Sequence, residues 1–210
     1  MVRADLEQVR AAAHRSAGTV NDALLTAVTG ALRRLLERRG EHVTTLNVLL
    51  PTAVRATAAT TESLGNELAA IVAPLPVTGA PRDRLARVAD VMAARKRLPA
   101  GPLARDVVAP LFRLMAGLGL HNRYLRRQRR FHTLLSNVRG PATALSFAGA
   151  RITGAVPVAV GESGNVTVSF GALSYAGVLT VACVADPARV PELDELAALV
   201  GDELARLTAG

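Results

Sequence analysis

Four histidines, one cysteine and two short polar segments are the groups in this chain that could do chemistry, and their spacing rules out most familiar reaction centres. His14, His42, His121 and His132 stand apart: none adjoins another histidine, and none has Asp four residues on with Gly following. His132 lies in a strand-like run leading to Ser136 and could reach that region, although a hydrogen-bonded structural histidine is the plainer reading. Cys183 sits in Val181-Ala182-Cys183-Val184 with no neighbouring base to lower its thiol pKa, so it reads as a small hydrophobe in a strand. A single cysteine also excludes an internal disulfide and any multi-cysteine metal site. There is no Gly-x-Ser-x-Gly elbow, and Gly161-Glu162-Ser163-Gly164 reads as a turn. Neither a Gly-x-x-x-x-Gly-Lys phosphate loop nor a His/carboxylate metal spacing occurs.

What remains is Asn21-Asp22, the segment Ser136-Asn137-Val138-Arg139-Gly140-Pro141, and a basic stretch. Asn21 and Asp22 either cap a helix for backbone reasons alone or shape a binding channel. Ser136 and Asn137 either close a strand-ending turn or contact a ligand, which Gly140 would let approach closely; Arg139 could meet an anion. Arg123, Arg126, Arg127 and Arg130 follow i, i+3, i+4, i+7 spacing, opposite an apolar stripe of Leu111, Leu114, Met115, Leu118 and Leu125. The pattern fits a solvated arginine face, or an interfacial helix resting on anionic lipid.

The elements that must position these residues follow from apolar periodicity. Residues 2–15 have helix-forming composition, with Leu6, Val9 and Ala13 on one stripe, and read as a lead-in helix ended by Gly18. Thr19-x-x-Asp22 opens a second helix that carries Leu24, Leu25, Val28, Leu32, Leu35 and Leu36 at helical spacing and stops at Gly40. Thr44 to Leu50, closed by Pro51, and Glu67 to Leu75, closed by Pro76, read as strands. Pro81 starts a helix with Leu85, Val88, Val91 and Met92 inward. A third helical region is predicted from about Leu103 to Arg130, bent near Pro110 and weakened by Gly117 and Gly119. Phe131 to Val138 is a strand, and further strands are expected over Ala144–Phe147, Ala150–Val160, Val166–Leu173 and Leu179–Val184. A final helix spans about Val190 to Leu207. This order gives one α/β domain with helices packed on a mixed sheet.

Composition bounds the partners. At 210 residues the chain can form one substantial domain, and half of its residues are hydrophobic with mean hydropathy +0.27, which argues against disorder. The apolar run from Val107 to Leu120 is broken by Pro110 and Arg113 and falls short of the ~20 residues a bilayer span needs. Arg3, Asp5, Glu7 and Arg10 interrupt any secretory apolar core, so a cytoplasmic location is expected. The net charge of +8 comes almost wholly from arginine, Lys96 being the sole lysine. That bias matches GC-rich coding. No nucleic-acid partner is expected, since no such motif occurs and four Phe, two Tyr and no Trp leave few stacking platforms.

Five segments together carry a resemblance. Thr19-Val20-Asn21-Asp22-Ala23-Leu24-Leu25, Leu64-Gly65-Asn66, Ser136 to Pro141, Leu173-Ser174-Tyr175-Ala176-Gly177 and Val184-Ala185-Asp186 resemble, in order, signature segments of the bacterial wax ester synthase/diacylglycerol acyltransferase family. They belong to its C-terminal half, with Arg139 replacing a more usual proline. The resemblance implies the C-terminal lobe of a two-lobed, CoA-dependent acyltransferase with a chloramphenicol-acetyltransferase-like fold. Residues 1–17 would be a lead-in helix or interlobe linker and residues 18–210 the lobe.

In such an enzyme a His-His-x-x-x-Asp-Gly motif of the N-terminal lobe supplies the base that activates an alcohol acceptor toward the thioester. That motif is absent from this sequence. The resemblance therefore implies half of an enzyme, inactive alone, that supports acyl transfer from acyl-CoA to a fatty alcohol or diacylglycerol. Its partners would be an N-terminal lobe, acyl-CoA and a lipid acceptor, with peripheral association at membranes or lipid inclusions. No bound cofactor is expected, acyl-CoA being the co-substrate. Asn21, Asp22, Ser136, Asn137, Arg139 and Gly140 become candidates for lining the channel or touching CoA. A non-catalytic module binding acyl-CoA or lipid surfaces is the rival class, and a polyketide-associated acyltransferase or condensation domain a third.

Overall fold

The apolar stripe beginning at Leu24 is wider than a surface helix needs, and this places its helix at the centre of the molecule. The computed structural model describes residues 1–53, 68–97, 117–158 and 164–209. In chain order the helices are α1 (Leu6–Arg15), α2 (Val20–Arg38), α3 (Pro81–Arg97), α4 (His121–Leu125) and α5 (Leu193–Thr208). The strands are β1 (Val2–Asp5), β2 (Thr45–Ala53), β3 (Leu68–Pro76), β4 (Thr133–Arg139), β5 (Ser146–Phe147), β6 (Ala150–Arg151), β7 (Val168–Tyr175) and β8 (Val178–Ala185). Residues 22 to 32 of α2 are all buried, as expected for a helix enclosed on every side. Thr26 and Thr29 tolerate this because their hydroxyls donate to the carbonyls of Asp22 and Leu25, each at 2.7 Å.

Six strands form one mixed sheet in the order β1-β8-β7-β4-β2-β3. The β2/β4 and β4/β7 pairs are parallel, and β1/β8, β7/β8 and β2/β3 antiparallel. Strand residues in the core alternate strictly: Leu46, Val48 and Leu50 in β2, Val168, Phe170 and Ala172 in β7, Leu179 and Val181 in β8. One sheet face therefore meets α1, α2, α3 and α5. Fully burying each Leu or Phe there is worth roughly 1.5–3 kcal/mol.

An ion pair threads the helical layer. Arg84 of α3 and Glu203 of α5, each 1% exposed, bond to one another across Gly30 of α2. A methyl group at Gly30 would collide with both side chains. Burial pulls the Arg84 guanidinium below its ordinary pKa, and the Glu203 carboxylate opposes that fall.

Most of the expected elements are present, with four differences. The lead-in segment is not helical from its start: residues 2–5 are β1, laid along the outer edge of β8 with Val2 and Ala4 against the core. The β2 strand runs through Pro51 to Ala53, beyond the parallel ladder to β4, which joins only Val48 and Leu49. Of the expected strand 150–160, within the described residues 150–158 only Ala150–Arg151 is regular, in a two-stranded hairpin with β5. The helical face expected for the arginines is broken, because α4 ends at Leu125 and residues 126–127 turn. Leu64-Gly65-Asn66, residues 159–163 and the helical region before residue 117 lie outside the described residues.

Candidate functional site

Thr19 opens α2 with a reciprocal cap: its backbone N–H donates to Asp22 Oδ2 at 2.8 Å, and Asp22 N–H donates to the Thr19 hydroxyl at 3.4 Å. This occupies Oδ2 of Asp22, which is buried, while its Oδ1 has no hydrogen-bond partner. Asn21, one position earlier in the turn, is left facing outward. Asn137 Nδ2 donates to Asn21 Oδ1 at 3.4 Å, joining two segments far apart in sequence.

The partner segment reaches Asn21 because of strand parity. In β4, Asn137 and Arg139 lie on the same side as the core residue Leu135, but beyond the helices' cover, whereas Ser136 points to the other side and sits opposite Gly171 of β7. Gly140 then closes the end of the ladder. Its N–H donates to the Ser174 carbonyl at 2.9 Å, and any Cβ there would strike that oxygen. Ala176 N–H donates to the Pro141 carbonyl at 3.0 Å. Ala176 and Gly177 have φ of 47° and 83°, the left-handed pair a tight β7–β8 hairpin needs.

These pieces enclose an open cleft of about 770 Å³ at the carboxyl ends of the parallel strands β4 and β7, beside the start of α2. Ligands of α/β sheets commonly bind at such ends. Asn21, Asn137, Arg139 and Gly140 all line it, together with the turn from Ser174 to Gly177. Ser136 and Asp22 do not. The opposite wall is α1, through Glu7, Arg10 and His14. None of these three was expected at the site, although their i, i+3, i+7 spacing opposite buried Val9, Ala12 and Ala13 marks a polar face. Glu7 bonds to Arg10, while His14 and Arg139 make no side-chain hydrogen bond or ion pair among the described residues.

The other candidates lie away from this cleft. His132 accepts the Asn47 backbone N–H at Nδ1 at 2.9 Å while its backbone N–H donates to the Asn47 carbonyl, which fastens β4 to β2. The Cys183 thiol is pushed up to about 11 by burial, which keeps it protonated at neutral pH. Arg123, Arg126, Arg127 and Arg130 are all exposed, spread over α4 and the turns after it. Among the described residues no cluster of three or more metal-ligating side chains occurs, and no helix is long and apolar enough to cross a membrane.

Residues 64–208 match the family described as the WS/DGAT C-terminal domain. A protein of Mycobacterium tuberculosis (strain ATCC 25618 / H37Rv), provisionally named a diacylglycerol O-acyltransferase, is 32% identical over 97% of this chain and 42% of its own length. A second from that strain, named a probable enzyme of the same kind, is 30% identical over 98% of this chain and 45% of its own. The chain thus spans less than half the length of these curated relatives. The wax ester synthase/diacylglycerol acyltransferase from Marinobacter aquaeolei VT8 shares the fold, with a TM-score of 0.74 and 21% identity over 99% of this chain and 47% of that one. A structure titled PapA2 acyl transferase matches at a TM-score of 0.61 and 17% identity, covering 100% of this chain and 44% of that one.

Proposed function

This chain belongs to the WS/DGAT C-terminal domain family, and on that premise we propose that it forms the C-terminal wall of an O-acyltransferase channel. It supports transfer of a long-chain acyl group from acyl-CoA to a fatty alcohol or diacylglycerol. The observation that carries this reading is the convergence of Asn21, of Asn137, Arg139 and Gly140, and of Ser174 to Gly177 on one cleft. Three segments separated in sequence have no shared structural task that requires polar side chains to face open solvent together. A binding surface gives them one.

The reaction joins the acceptor oxygen to the thioester carbonyl carbon, breaks the carbon–sulfur bond, and passes the acceptor's proton to a base and then to the departing CoA thiolate. This chain offers no oriented base for that transfer. Among the described residues His14 is the histidine that lines the cleft, and no carboxylate holds its ring. The base belongs to an N-terminal lobe bearing His-His-x-x-x-Asp-Gly, and this chain alone is inactive. Its own part is to position CoA and acceptor and to exclude water from one side of the channel.

The test is reconstitution. Purified chain incubated with palmitoyl-CoA and hexadecanol should give no ester, and addition of an N-terminal lobe from a family member should give ester, reduced by Asn137→Ala. Ester formed by the chain alone would overturn the half-enzyme reading. The exposed arginines 123, 126, 127 and 130 favour a second reading, a lipid-surface binding module. An inactive mixture whose 210-residue component sediments with anionic vesicles would select it.

A further inference from the structure

A second, smaller cavity of about 300 Å³ lies on the sheet face away from the helices, between β1, the β7–β8 turn and the arm that carries β5 and β6. Strand parity puts Arg3 on that face, because Val2 and Ala4 pack against the core, and pairs it with Thr180 of β8. The hairpin brings Arg151 to the same cavity. A methyl group at Gly154 would stand 3.6 Å from Arg3 Nη2, so the Arg3 guanidinium spans from the sheet edge to the arm. Neither arginine side chain has a hydrogen-bond or ion-pair partner among the described residues, and no carboxylate of theirs lines the cavity. Asp5, on the same face of β1, is turned to capping α1, where its Oδ1 accepts the Gln8 N–H at 2.9 Å. Thr180 lines the cavity and is only 3% exposed, yet its hydroxyl makes no hydrogen bond to a described residue and keeps its access to the open space.

We propose that this cavity binds a phosphate-class dianion, which ties the hairpin arm to β1 and β8. Two guanidiniums that face one small space without a counter-charge repel each other, and one bound dianion removes the repulsion and balances both. A phosphate monoester carries about −1.5 to −2 charge at pH 7, whereas a single carboxylate would leave one guanidinium unmatched. Each guanidinium can make two parallel charge-assisted bonds to phosphate oxygens, and Thr180 and Thr153 offer hydroxyl donors to the oxygens left over. Tyr175 lends shape rather than a donor, since its hydroxyl proton is already given to the Ile152 carbonyl. The site rests on no part of the acyltransferase reading. Its ligand chemistry comes from two sources, a small phosphate or phosphomonoester in solution and the headgroup of a lipid monophosphate. Both arginines are solvent-facing, so binding from either source should weaken with salt.

The 210-residue chain is dialysed to equilibrium against labelled inorganic phosphate and against glycerol 3-phosphate, and mixed separately with phosphatidylcholine vesicles containing phosphatidic acid. The same probes are applied to Arg151→Gln, to the double variant Arg3→Gln/Arg151→Gln, and to Arg82→Gln on α3 as a control for general attraction to a basic chain. The expected result is one soluble anion bound per chain, with the dissociation constant raised about tenfold or more in the double variant and unchanged in the control. Hydrogen exchange at Ile152, whose N–H donates to the Leu145 carbonyl at 2.8 Å, should slow on phosphate addition in wild type and not in the double variant. Phosphate bound with no slowing at Ile152 overturns the tie to the arm. Vesicle binding lost in the double variant, with neither soluble anion bound, supports the site and assigns its phosphate to lipid. Equal binding of every probe to wild type and double variant overturns the site, as does failure of every probe to bind wild type. Thermal midpoints of the variants without phosphate, expected not to fall below wild type because both arginines are exposed and unpaired, exclude misfolding as the cause.

Discussion

Asn21 and Asp22 are neighbours with opposite duties. Asp22 turns inward to close the α2 cap, and Asn21 turns outward to meet Asn137. Asp22→Ala should therefore cost about 0.5–2 kcal/mol of unfolding free energy, the usual loss for an N-terminal cap. Asn21→Ala should stay within about 0.5 kcal/mol, as surface changes do. Urea titration of the two variants separates cap from site, and equal losses would refute the division. The cap was legible in sequence, because Thr19-x-x-Asp22 before an apolar run has a local cause. The Arg84–Glu203 pair was not, since each residue alone reads as a solvated charge on a helix face. Only the crossing of three helices at Gly30 brings them together.

At the scale of elements, local pattern succeeded where one element answers to its own sequence and failed where a distant partner decides. α2, α3, α5 and the strands β2, β4, β7 and β8 fell close to their expected places because apolar spacing over seven or more residues is hard to misread. β1 did not. Val2-Arg3-Ala4-Asp5 is too short for alternation to outweigh helix propensity, and its strand form exists because the edge of β8 offers unpaired backbone.

The β5–β6 hairpin is likewise held from afar, by Tyr175 on the sheet face away from the helices. Its hydroxyl accepts the Leu145 N–H at 2.8 Å and donates to the Ile152 carbonyl at 3.0 Å. Tyr175→Phe removes both bonds. Hydrogen exchange should then show faster exchange at Leu145, with global stability lowered by about 1–3 kcal/mol at most. Unchanged protection at Leu145 would mean the hairpin holds itself. The cleft divided in the same way: its β4 and β7 walls could be read from motifs, while the α1 wall became visible only once β1 had fixed where that helix starts.

Across the whole molecule, helices cover one sheet face, and the other carries the hairpin with Phe147 77% and Val158 89% exposed among several apolar neighbours. Such a surface is the expected boundary of a domain whose relatives are more than twice its length. The isolated chain should self-associate with concentration, measurable by sedimentation velocity, and Phe147→Ser should shift it toward monomer; a monomer at all concentrations would show that the face needs no cover. The sheet's edge has a consequence in time as well. Because β1 pairs with β8, residues 2–5 cannot find their partner until residues 178–185 have been made. At ~5–20 residues per second of synthesis, that interval is on the order of ten seconds or more. Throughout it Val2 and Ala4 belong to no sheet, and the earliest strand of this domain to leave the ribosome is among the last to be fastened.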